Sequence, residues 1–150
     1  MWLTPERKIG LRQSLIWLGV LALTIAFREI YLYNSHGVYS DFIGFVWVPA
    51  LVLLVSYVVV CFLFAIDVGE WGRLGFNCGI GTIIVYMVIK GIYEIARVEP
   101  ENSVDVRWSS FFLVMGIVAI VIGIIFSAFH IAKAKKEKEN PLGKSRGIFS

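Results

Sequence analysis

Cysteine is scarce in this chain, and acidic side chains are missing from its long apolar stretches. There are two cysteines, Cys61 and Cys78, and they do not form a C-x-x-C pair. Their spacing argues against dithiol–disulfide exchange and against a four-ligand thiolate metal site. Both read as small apolar residues packed between helices. There are two histidines, His36 and His130. They fall at opposite ends of the helical pattern described below, too far apart to ligate one haem or metal ion within a single chain. No carboxylate sits in the middle of an apolar stretch, so no proton relay or acid/base pair can be assembled there. Of the four prolines only Pro49 interrupts an apolar stretch. No glycine-rich phosphate loop is present, and no nucleophile and base can be placed together. These absences lean away from an enzyme, imply no cofactor, and leave no catalytic, cofactor-binding or metal-binding residue to name.

What the chain has in abundance is apolar sequence. Of its 150 residues, 58% are hydrophobic, and the mean hydropathy is +0.78. The excess lies in four runs, Leu11–Phe27, Phe42–Ile66, Leu74–Ile89 and Trp108–Phe129. Runs of this length are the signature of membrane crossings. The expected fold is all-α: an integral membrane four-helix transmembrane bundle, up-down-up-down. Four crossings leave no room for a separate soluble domain, so one membrane domain, 1–132, and a basic tail, 133–150, are expected. The first run follows a basic start without a small-residue cleavage pattern and reads as a retained helix, not a cleaved leader.

Charge sets the orientation. Arg7, Lys8 and Arg12 precede the first run, and Lys133, Lys135, Lys136, Lys138, Lys144 and Arg146 follow the last, so nine of the fourteen basic residues lie at the two ends. The positive-inside rule then puts both termini in the cytoplasm. Which membrane is crossed is not legible.

The helices are expected at about 5–33, 42–66, 74–97 and 108–132. Thr4-Pro5-Glu6 is a good helix start, with Thr4 as N-cap and Pro5 in the first turn. Fifteen residues separate Arg12 from Arg28, about 22 Å of helix. That is shorter than the ~30 Å hydrocarbon core, so the helix must continue past Arg28-Glu29 to Tyr33. Phe42–Ile66 carries no charge, and Pro49 should kink it near its outer end. The fourth helix should continue through Lys133–Lys138 and stop at Asn140-Pro141. Arg28-x-Ile30-Tyr31 and Lys90-x-Ile92-Tyr93 match at an offset of 62, which suggests two similar helix hairpins.

Three groups of residues stand out. Arg28, Glu29, Lys90, Glu94 and Arg97 form a candidate polar cluster in the outer part of the first and third helices. Ionisable groups at such depths pair, snorkel or line a wet pocket. Gly75 and Gly79 make a GxxxG, followed by Gly81; Ala119, Gly123 and Ser127 make a small-residue stripe on the fourth helix; Ala22 and Ala26 do so on the first. Such stripes bring helix backbones into contact. Asn77 is an amide on the third helix, expected to bond to a neighbouring helix. Lys133, Lys135, Lys136 and Lys138 form a juxtamembrane basic segment suited to anionic lipids. Nucleic-acid binding is not expected, because no aromatic or motif context accompanies the charge.

The expected partners are the lipid bilayer and other membrane subunits or a second copy. The function these features favour is a non-catalytic accessory or assembly subunit of a larger membrane complex. The alternative is a small oligomeric transporter or channel with a charged outward-facing pocket.

Overall fold

The computed structural model describes residues 4–35, 38–64, 66–96 and 104–139. Among them every regular element is helical: α1 (Pro5–Asn34), α2 (Asp41–Gly44), α3 (Val48–Tyr57), a π-helical segment (Val58–Leu63), α4 (Glu70–Ile95) and α5 (Val104–Glu139). Four stretches are long and apolar enough to cross a membrane: Arg7–Asn34, Asp41–Cys61, Glu70–Ile95 and Ser110–Lys136. The described residues are thus all-helical, and their four apolar stretches fit a multi-pass membrane protein.

α1 begins as its sequence suggests. Thr4 Oγ1 accepts from the Arg7 backbone N–H at 3.4 Å, and Pro5 occupies the first turn, where its missing donor costs nothing. The helix runs past Arg28-Glu29 without interruption. Near its end Asn34 Nδ2 donates to the Ile30 carbonyl, and Ser35 Oγ donates to that of Leu32, an acceptor the helix leaves open.

The second span departs from the single helix expected over 42–66. It starts as the short α2, breaks at residues 45–47 and restarts as α3. The cause is Pro49, acting one turn before its own position. Its ring has no N–H to give the Phe45 carbonyl and would collide with it in a continuous helix. The Phe45 carbonyl instead accepts from Val48 N at 3.0 Å. The Gly44 carbonyl is taken by the Trp47 indole N–H, also at 3.0 Å. So proline divides the span into two helices. Three consecutive β-branched residues, Val58-Val59-Val60, then open the π-helical segment. Its wider turns appear in the bonds from Phe64 N to Val59 O and from Ile66 N to Val60 O, each 3.1 Å.

Two other boundaries shift. α4 starts at Glu70, four residues before the expected Leu74. Gly69 provides the start at a φ of +75°, a left-handed value that favours glycine. Asp67 fixes this turn: its Oδ1 accepts from Gly69 N at 3.0 Å and from Arg73 Nη1 at 2.7 Å. α5 starts at Val104, four residues before the expected 108, and runs to Glu139, continuing through Lys133–Lys138 as expected.

The hydrophobic core lies between α1, α3 with its π-helical continuation, and α4. Trp17, Ala50, Leu53, Tyr57, Cys61 and Val68 form it, with Phe76, Ile80 and Ile84 against them. α5 contributes nothing to this cluster. It packs almost entirely on α4, along a separate seam. The molecule is three helices sharing a core, with a fourth docked on one of them.

Candidate functional site

The seam between α4 and α5 is built from glycine. As residue numbers rise along α4 they fall along α5: Gly72 meets Ser127, Gly75 meets Gly123, and Gly79 meets Gly116 and Ile120. At Gly75 a Cβ atom would lie 2.6 Å from Gly123 Cα and 2.9 Å from the Ala119 carbonyl oxygen. At Gly79 it would lie 2.8 Å from the Gly116 carbonyl oxygen. The helices thus touch backbone to backbone, where packing and not hydrophobic exclusion holds them in lipid. All five small residues read from the sequence here (Gly75, Gly79, Ala119, Gly123 and Ser127) fall on this seam. Gly72 and Gly116 extend it at both ends. Gly81 points away, with nothing within 4 Å of a would-be Cβ. At the far end the His130 ring lies over Gly69, 2.9 Å from where a Cβ would stand.

A second centre ties α1, α3 and α4 together. Asn77 Oδ1 accepts from Trp17 Nε1 and from the Tyr57 hydroxyl, each at 2.9 Å. Asn77 Nδ2 donates to Gln13 Oε1 at 3.2 Å. The chemistry fixes the amide's orientation: an indole N–H can only donate, so the carbonyl oxygen must face Trp17. Trp17 and Tyr57 are both buried. Sequence reading found Asn77 but not its partners. Those lie 20 to 64 residues away, and no local pattern marks them.

Among the described residues the outer polar groups pair separately. Arg28 Nη1 pairs with its neighbour Glu29. Glu94 Oε2 accepts from Ser40 Oγ at 2.7 Å, a contact that joins the α2 start to α4. Ser40, which sequence reading did not single out, is almost fully buried. Lys90 is half-buried and makes no ion pair among the described residues. Arg97 lies outside the described residues. Arg28 borders a cleft of about 300 Å³ with Ile25, Tyr39, Gly44, Phe45 and Trp47, and Lys90 and Glu94 are not part of its lining. The two cysteines also separate: Cys61 is buried in the core, whereas Cys78 is exposed and faces Phe111, Phe112 and Met115 across another groove. No group of three or more potential metal ligands occurs among the described residues.

On the remaining surface, α1 leaves Gly19, Ala22 and Ala26 exposed, and Gly19 has nothing within 4 Å of a would-be Cβ. The expected stripe of the first helix therefore meets no helix among the described residues. Lys133, Lys135 and Lys136 are exposed on the last turns of α5, which also carry Lys138.

The chain matches no family model, and no curated protein or solved structure is similar to it.

Proposed function

We propose that the chain is an accessory or assembly subunit of a larger membrane complex, without catalytic chemistry of its own. The observation that carries this reading is the bare small-residue face of α1. Gly19, Ala22 and Ala26 follow helical spacing, yet no described residue covers them. Small residues let a second helix come close, whereas a face turned only to lipid has no need of them. The use of polar groups points the same way. Gln13, Trp17, Tyr57 and Asn77 bond to one another across helices, and Ser40 and Glu94 do the same at the outer end. These side chains fasten helices instead of converging on a cavity.

The arrangement in the membrane belongs to the same proposal. The Gln13–Asn77 bond, the Tyr57–Asn77 bond and the contact of His130 with Gly69 bring the starts of α1 and α4 together with the ends of the second span and α5. That supports an up-down-up-down path with both termini on one side, and the basic residues at those termini make that side cytoplasmic.

Extraction of tagged protein from its native membrane in mild detergent, followed by native mass spectrometry, tests the subunit reading. The expected species contains other polypeptides at fixed stoichiometry, and Gly19→Leu with Ala22→Leu releases them while the chain stays folded. A homo-oligomer or a lone monomer overturns the reading. The cleft beside Arg28 favours one second reading, a small transporter that admits an anion from outside. A homo-oligomer whose anion flux is lost in Arg28→Gln would establish it.

A further inference from the structure

We draw no further inference here: the strongest candidate, the almost wholly apolar groove of about 440 Å³ that Val60, Cys61, Phe76, Ile124, Ala128 and Ile131 line beside α4, carries nothing, because nothing in the structure shows what covers it.

Discussion

Gly75→Val should destabilise the protein by about 3 kcal/mol, the upper end of what overpacking costs, whereas Gly81→Val, six residues away on the same helix, should cost less than about 0.5 kcal/mol. Both changes add the same side chain to the same helix, so propensity cancels in the comparison. What differs is the neighbour. A Cβ at residue 75 meets Gly123 Cα at 2.6 Å, Gly123 N at 2.8 Å and the Ala119 carbonyl oxygen at 2.9 Å. All three are backbone atoms and no rotamer change can move them aside, so the helices must part. At residue 81 nothing lies within 4 Å. Because α5 shares no core cluster with the other helices, parting this seam undocks it. Denaturation by titration with sodium dodecyl sulfate in mixed micelles reads both stabilities. Equal midpoints for the two variants would mean that α5 is not held by this seam.

Asn77→Leu should cost between about 2 and 4 kcal/mol. Three interhelix hydrogen bonds end at Asn77, and in membrane proteins such bonds contribute about 0.6 kcal/mol each. The substitution also strands the buried Trp17 N–H, at about 1 kcal/mol or more, and leaves the Tyr57 hydroxyl only the Arg73 carbonyl, 3.5 Å away. A double-mutant cycle separates this from lost packing. Tyr57→Phe should cost about 1 kcal/mol in the wild-type background and nothing, or less than nothing, once Asn77 is leucine. The same titration measures the cycle. Strictly additive losses would show that the hydroxyl and the amide do not act together.

These two sites also show what the sequence reveals and what it withholds. The four apolar helices are legible because hydrocarbon imposes a length and a composition on each crossing. The seam was half legible. GxxxG spacing marks Gly75 and Gly79 as contact residues, but spacing alone does not say which helix they meet, nor that Gly81 turns away. The Asn77 network was legible at one node only, because a hydrogen bond between residues 13 and 77 leaves no trace in local pattern. Pro49 is legible as a disturbance, but not its extent: the loss of one donor and the clash with one carbonyl suffice to divide α2 from α3. The π-helical segment has no sequence signal beyond its three valines. The outer charges misled most. Arg28 and Lys90 share a depth by residue count, but charges of similar depth on different helices need not meet. Among the described residues Glu94 is taken by Ser40 and Arg28 by Glu29, and Arg97 lies outside them.

The path through the membrane is the claim on which all else depends, and cysteine accessibility tests it most directly. In a Cys61→Ala, Cys78→Ala background, Tyr39→Cys and Lys136→Cys place single thiols at exposed positions near opposite ends of the helices. With intact cells and an impermeant maleimide, Tyr39→Cys should be labelled at once, and Lys136→Cys only after the membrane is opened. Labelling of Lys136→Cys from outside, or of both thiols from the same side, would contradict the four-crossing path and the cytoplasmic placement of both ends.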